Sequence, residues 1–147
     1  MLPLINKLVL KLCNEYNIER IRIPKEGYTF SGGFQAGIGR KIGRCGLSFC
    51  AQMAAIAMDA RKIKHPEHFF GMLAGGHLNA ELVNNILQAL PEGTSEIMTH
   101  PGLETASLGK LFTWGYTWET ELAAYLDKKN LQLLREKNIQ LINFGDL

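Results

Sequence analysis

One histidine, His100, has the residue type and the position along the chain that suit acid–base catalysis. Residues 95–99 before it alternate polar and apolar side chains, which is the period of a half-buried strand. We expect this strand to end soon after the histidine, because Pro101 has no amide hydrogen and Gly102 favours a turn. Strand ends are where α/β proteins place much of their chemistry. The pattern therefore predicts either a proton-transferring histidine or one that only caps the strand through ring hydrogen bonds.

Three charged residues near predicted strand ends are candidate partners for a substrate or for this histidine. Glu96 shares a strand face with His100, so its carboxylate could select the tautomer of the ring. Arg22 and Glu26 flank Pro24 at the end of an earlier predicted strand. Groups in that position can orient a substrate, but the two charges could equally form a surface ion pair of small energetic value.

A glycine-rich stretch, Gly37–Gly43, approaches the dinucleotide-binding fingerprint. It has one residue too many before its last glycine and lacks the acidic partner that the fingerprint needs further along the chain. We therefore interpret it as a mobile basic loop rather than a nucleotide site. Its cations, Arg40 and Lys41, could attract an anionic or polar substrate together with the nearby Arg44.

The segment 65–68 holds two histidines and a glutamate, which are all capable of binding a metal. Zinc motifs on helices place two histidines one turn apart, and Pro66 disfavours a continuous helix here. We interpret the segment as a loop that leads into a strand. His77 follows a pair of glycines and is expected to be an isolated, solvent-exposed residue.

The composition is that of an ordinary globular protein, and the length of 147 residues predicts a single domain over residues 1–147. The net charge of +2 is too small to indicate nucleic acid or an anionic membrane as a partner. No run of 18 apolar residues is present, so we expect no membrane span. Three cysteines without a CxxC motif favour free thiols and a cytoplasmic location.

Hydrophobic periodicity predicts alternating helices and strands that would position His100. Helices are predicted at 4–16 and 47–61 and after the capping residues Asn79, Thr117 and Asp127. Strands are predicted at 18–23, 68–72, 95–99 and 139–143, and loops at 25–46 and 103–116. This alternation indicates an α/β fold with mainly parallel strands and flanking helices. Four strands cannot close a barrel that needs about eight, so the pattern indicates half of one.

Five short segments, taken in order, resemble the YdjC-like carbohydrate deacetylases. They are Ile21–Glu26, Phe69–Gly71, Glu96–Gly102, Trp118–Leu122 and Ile142–Leu147. That family includes chitooligosaccharide deacetylases and deacetylases associated with hopanoid biosynthesis. The resemblance covers nearly the whole chain. It implies an irregular, TIM-barrel-like (βα) fold and metal-dependent hydrolysis of N-acetyl groups on amino sugars, with magnesium or zinc as the cofactor.

The resemblance also implies roles for individual residues. His100 matches the family's active-site histidine, which protonates the leaving amine or stabilises the tetrahedral intermediate. Arg22 and Glu26 match the strand end that lines the family's pocket. Met1–Pro3 resembles the tail of the family's histidine-rich segment, so the chain is expected to be the C-terminal, N-terminally truncated part of the domain. It would then lack the metal ligands, and we expect it to bind no metal tightly and to be inactive alone.

Three alternative functions follow from these expectations. The first is the truncated deacetylase, a hydrolase acting on a small carbohydrate substrate. The second is a non-catalytic carbohydrate-binding or partner-dependent remnant of the same fold, and an unrelated small α/β binding protein is a third alternative. A half-barrel exposes apolar surface that favours association, so we expect a homo-oligomer.

Overall fold

The computed structural model describes residues 3–147, with side chains from residue 4 onwards. Met1 and Leu2, on which part of the family resemblance rests, lie outside the described residues. The α-helices are α1 (Pro3–Glu15), α2 (Ile38–Asp59), α3 (Ala80–Ala89), α4 (Thr105–Leu111), α5 (Trp118–Leu126) and α6 (Lys128–Glu136). The strands are β1 (His68–Phe70) and β2 (Ser95–Ile97), and a 3₁₀-helix covers Phe144–Asp146. Within residues 3–147, no helix is long and apolar enough to cross a membrane.

β1 and β2 form a small parallel sheet, which confirms the predicted parallel pairing. The register places His68 opposite Ser95 and Phe70 opposite Ile97. The Met98 N–H continues the ladder by donating to the Phe70 carbonyl at 2.9 Å. A parallel pair connected through a helix and flanked by others is an α/β arrangement. The half-barrel built on it stays a prediction.

The strands predicted at 18–23 and 139–143 are not strands in the structure. In the first segment a single parallel bridge joins Arg20 to Lys64. The second segment has no ladder partner within the described part of the chain and ends in the 3₁₀-helix. Alternating hydrophobicity makes a strand possible, but a strand forms only where backbone pairing with a neighbour continues over several residues. The prediction of four strands was therefore wrong.

The glycine-rich stretch is helical, so the prediction of a mobile basic loop was also wrong. α2 begins at Ile38 and includes the cations that were expected to attract a substrate. The buried Arg44 guanidinium donates to the Phe30 carbonyl at 2.7 Å, and Arg40 donates to the Leu73 carbonyl at 3.0 Å. Through these hydrogen bonds, the two arginines connect the first turns of α2 to the backbone of two other segments. Their side chains are therefore bound within the protein and are not part of a mobile loop.

The helix caps agree with the sequence in two of three cases. The side chain of Asn79 accepts a hydrogen bond from the third residue of its helix, and the side chain of Asp127 accepts two from the start of α6. Thr117 is also an N-cap, but its hydroxyl donates to the Gly76 carbonyl at 3.1 Å instead of capping. α4 lies inside the predicted loop 103–116, and this short helix was missed.

Two clusters of buried side chains hold the elements together. One forms where α3 packs against α5 and α6, and it contains Phe70, Ala74, Leu78, Leu82, Val83, Ile86, Leu87 and Ala124. The other lies between α1 and α2, and it contains Cys13, Ile23, Ala51, Ala54, Ala55, Met58 and Ile63. The first cluster includes the end of β1 and the buried face of α5. It therefore supports the region in which β2 ends.

Candidate active site

His100 lies just beyond β2, where the chain leaves the sheet towards α4. Its side chain is 28% exposed, so one part of the ring is open to solvent and another is covered. Its backbone N–H donates to Oε2 of Glu121 at 2.5 Å. The ring Nδ1 is buried 3.7 Å from the same oxygen and has no hydrogen-bond partner within residues 3–147. The histidine is thus held by its backbone next to a carboxylate.

Glu121 is the most buried charged residue of the site, with none of its side chain exposed. Its Oε1 accepts a hydrogen bond from the Leu78 N–H, and its Oε2 accepts from the Thr99 hydroxyl, both at 3.1 Å. With the His100 N–H, three donors from two chain segments converge on one carboxylate. A buried carboxylate is costly unless such donors satisfy it. Glu121 therefore fixes the histidine segment against α5.

Glu121 was not among the site residues predicted from the sequence. A signal was present, because Trp118, Glu121 and Ala124 are three apart and share one helix face. All three are buried. A glutamate between two apolar residues on a core-facing stripe indicates a carboxylate with internal partners.

Glu96 and Arg22 lie together in the structure, but Glu96 does not reach His100. The Arg22 Nε donates to Oε1 of Glu96 at 2.5 Å, and its guanidinium lies 6.0 Å from the centre of the Phe69 ring. Strand alternation placed Glu96 on the face of His100, but the chain leaves the strand before the histidine. Glu121 is the carboxylate beside the ring. A role for the Arg22–Glu96 pair in substrate binding stays a prediction.

Glu26 is buried behind the turn that follows β1. Its two oxygens each accept a backbone N–H, from Met72 and Leu73, at 2.9 Å. Burial raises the pKa of this carboxyl, while those two hydrogen bonds and the charge of Arg44 oppose the rise. The surface ion pair considered for Glu26 and Arg22 is not formed, because Arg22 binds Glu96 instead. Glu26 acts here as a support for the turn.

The Tyr116 ring lies beside both the site histidine and His77. The Tyr116 ring centre lies 4.8 Å from that of His100 and 6.3 Å from that of His77. His77 also stacks on Phe34 at 6.0 Å, so the prediction that it is isolated and solvent exposed was wrong. Burial lowers the pKa of His77 below 6.5, and the charge of Arg40 lowers it further, while Glu121 raises it. The folded protein therefore favours the neutral form of this ring.

The groups around His100 do not fit a metal site by themselves. Both oxygens of Glu121 already accept hydrogen bonds from the protein. The described residues contain no group of three or more His, Cys, Asp or Glu arranged to hold a metal ion. In the segment 65–68, His65 binds Asp59 at 3.1 Å, and that segment leads into β1 as predicted. A divalent metal would need ligands other than these residues.

A large cleft of about 910 Å³ lies elsewhere, between the end of α1 and the segment 61–64. Most of its charged lining residues are lysines and arginines, and it includes none of the four predicted site residues. The volume of a cleft does not by itself show that a reaction takes place there. We place the candidate site at His100, where a partly exposed ring meets a buried carboxylate and the ring of Tyr116.

Comparison with known proteins assigns the chain to a family. A family model described as YdjC-like protein matches residues 1–136. The chain therefore belongs to the YdjC-like family, which confirms the resemblance seen in its short segments.

Two curated relatives carry the same description, carbohydrate deacetylase. The protein from Thermoanaerobacter pseudethanolicus is 32% identical over 85 residues, which are 58% of this chain and 34% of that protein. The protein from Clostridium beijerinckii is 33% identical over 66 residues, which are 45% of this chain and 27% of that protein. The matched segments thus span between a quarter and about a third of the length of these relatives. No solved structure matches the chain.

Proposed function

We propose that this chain forms the His100 side of an active site that hydrolyses the N-acetyl group of an amino sugar. The observation that carries the proposal is a partly exposed imidazole at a strand end, held against a fully buried carboxylate. Catalytic acids and bases are commonly found where such environments are built. The relatives' description, carbohydrate deacetylase, supports removal of an acetyl group from a sugar.

The reaction needs a proton donor at the amide nitrogen. Water adds to the carbonyl carbon, and the carbon–nitrogen bond then breaks to give acetate and a free amine. An amine leaves readily only if its nitrogen gains a proton as that bond breaks. We assign this proton to Nε2 of His100, because the ring contact with Glu121 is made by the other nitrogen, Nδ1, at 3.7 Å. Glu121 positions the histidine from the Nδ1 side through the backbone N–H of His100, and the ring regains its proton from solvent.

Magnesium or zinc, which the family resemblance implies, would activate the attacking water. Since the residues around His100 do not supply a ligand set, we propose that they bind no such ion tightly and that catalysis requires additional ligands. The same observation favours a second function. A chain that retains the pocket wall without a metal centre would serve as a non-catalytic carbohydrate-binding protein.

The test is acetate release from N-acetylated chitooligosaccharides, measured with magnesium, zinc and manganese in turn. In an active preparation, His100→Ala should reduce kcat by about a hundred- to ten-thousand-fold and change KM little, because a proton donor acts in the transition state. His65→Gln is the matched control, since His65 lies before β1 and binds Asp59. Its kcat should equal that of the wild type.

Two outcomes would contradict the catalytic assignment. Normal kcat in His100→Ala, together with a lowered melting temperature, would show that the ring only stabilises the strand end. Saturable sugar binding without acetate release in a preparation that holds a bound metal ion would support the carbohydrate-binding function instead.

A further inference from the structure

Four aromatic residues at alternate positions, Phe112, Trp114, Tyr116 and Trp118, form a continuous row of neighbouring rings, named here the aromatic row. The ring centres of Phe112 and Trp114 are 4.6 Å apart and their planes are 30° from parallel. The next two steps along the row are 5.6 Å and 5.9 Å. These are the spacings of rings in direct contact.

The inner end of the aromatic row is fixed in the protein. Trp118 is buried, with 7% of its surface exposed. Tyr116 lies so close to Gly76 that a side chain at that position would clash with its ring. The Thr117 N–H donates to the Gly76 carbonyl at 2.8 Å and holds the segment in place. Since Tyr116 also contacts His100, the row begins at the candidate active site.

The outer end of the aromatic row faces solvent. Trp114 is 57% exposed and Phe112 is 39% exposed, and the two rings support one another by stacking. Exposed aromatic surface held in a fixed arrangement is unfavourable in water unless something binds to it. Trp114 is therefore the next ring in the row after Tyr116, the ring that touches His100, and Phe112 follows it.

A pyranose ring has the chemistry to cover this surface. Several of its C–H bonds point to one face, which is apolar and carries slight positive charge. That face packs against the negatively charged face of an aromatic ring, while the hydroxyl groups remain in water at the edges. A planar indole suits this contact better than an aliphatic side chain does.

We propose that Trp114 and Phe112 bind a sugar unit that adjoins the unit at His100, and that Trp114 sets the preference for longer chains. The inference rests on the proposed function only for the position of the reacting sugar. It predicts that an oligosaccharide gains affinity over a single amino sugar through contact with this pair of rings.

Isothermal titration calorimetry of the whole chain tests the proposal, with N-acetylglucosamine and its β-1,4-linked trimer as probes. Wild-type protein should bind the trimer more tightly than the monomer. Trp114→Ala should weaken trimer binding by about tenfold, the scale of one lost aromatic contact with its buried area, and leave monomer binding unchanged. Trp114→Phe should restore much of the loss. Leu111→Ala is the matched control, since Leu111 is exposed and close in sequence but aliphatic.

Binding is read without catalysis, so this proposal and the proposed function can fail separately. Chain-length preference that depends on Trp114 without any acetate release would support the inference and not the enzyme. Acetate release with equal trimer affinity in wild type and Trp114→Ala would overturn the inference and leave the enzyme intact. A change in sedimentation of Trp114→Ala without a change in sugar binding would also overturn it, since the row would then contact a second protein chain. Circular dichroism must show that each variant is folded.

Discussion

At the residue scale, His100 depends on Glu121 for its position. The Glu121 carboxylate accepts a hydrogen bond from the Leu78 N–H through Oε1 and one from the His100 N–H through Oε2. Each donor would be left unsatisfied without it, and an unsatisfied buried donor costs about 1–3 kcal/mol. Glu121 is therefore expected to contribute to both the stability of the fold and the placement of the histidine.

Glu121→Gln should lower the free energy of unfolding by about 1–3 kcal/mol, because the new amide group offers an N–H₂ where a donor now points. Urea denaturation at constant pH measures the change. Glu119→Gln on the same helix is the control. Since Glu119 is exposed, this substitution should change the free energy of unfolding by no more than about 0.5 kcal/mol. Equal effects of the two substitutions would show that the buried carboxylate has no special role.

His77 predicts a pH dependence at the edge of the site. Its pKa in the folded protein lies below the ordinary value of 6.5 because burial and Arg40 disfavour the charged ring. The unfolded chain then binds more protons between the two values. Stability associated with neutral His77 is present above pH 6.5 and is lost as pH falls towards the lower, folded-state value.

The free energy of unfolding of the wild type minus that of His77→Gln should therefore be larger at pH 7.5 than at pH 5. Urea unfolding of both proteins at the two pH values gives this difference directly, and titration of all other groups cancels. A constant difference would show that folding does not perturb the ring. A difference that grows as pH falls would reverse the sign of the inferred shift.

At the element scale, the site exists because the ends of β1 and β2 approach closely. Gly71 follows β1 with φ +93°, a conformation that favours glycine, and a Cβ there would lie 2.5 Å from the Met98 carbonyl oxygen. Glu26 holds the next two residues of the same turn through their N–H groups. The turn after β1 is thus packed against the chain that leads to His100.

Gly71→Ala should destabilise the protein by at least about 2 kcal/mol, because alanine is strained at positive φ and its methyl group meets backbone. Gly109→Ala provides the opposite case, since Gly109 lies in α4 and a Cβ there meets nothing within 4 Å. That change should raise stability by up to about 1 kcal/mol, since alanine restricts the unfolded chain. Thermal unfolding compares them, and similar melting temperatures would contradict the close approach.

At the scale of the whole molecule, α1 and α2 carry large apolar side chains that the described residues leave exposed. They include Leu4, Leu8, Ile42, Phe49 and Met53. Exposed apolar surface of this extent favours association in water. A homo-oligomer therefore stays our prediction for this chain.

Sedimentation at micromolar concentration should show a dimer or a larger species. Replacing Phe49 and Met53 together by lysine should shift the protein towards monomer, because two charges would then have to be buried at the interface. The double variant Lys7→Glu and Lys11→Glu is the control, since it also alters exposed positions by charge but leaves the apolar side chains in place. A monomer in the wild type would contradict the prediction.

The sequence by itself determined the local features of this protein. The caps at Asn79 and Asp127 and the helices that follow them were predicted correctly, because helical hydrogen bonds connect residues only four apart. The parallel direction of the sheet was predicted from the alternation of helices and strands, and His100 lies just beyond β2, as its strand pattern indicated. The family could also be identified from the sequence, because the resemblance rests on short contiguous segments.

Only the tertiary structure decided which side chains meet. Glu121 accepts hydrogen bonds from residues 21 and 43 positions away, and Glu96 binds an arginine 74 positions away. The segments at 18–23 and 139–143 had the alternation of strands but no ladder to join. Buried carboxylates and the backbone N–H and C=O groups of strands need hydrogen-bond partners that lie far away in the chain. Periodicity along the sequence does not specify those partners.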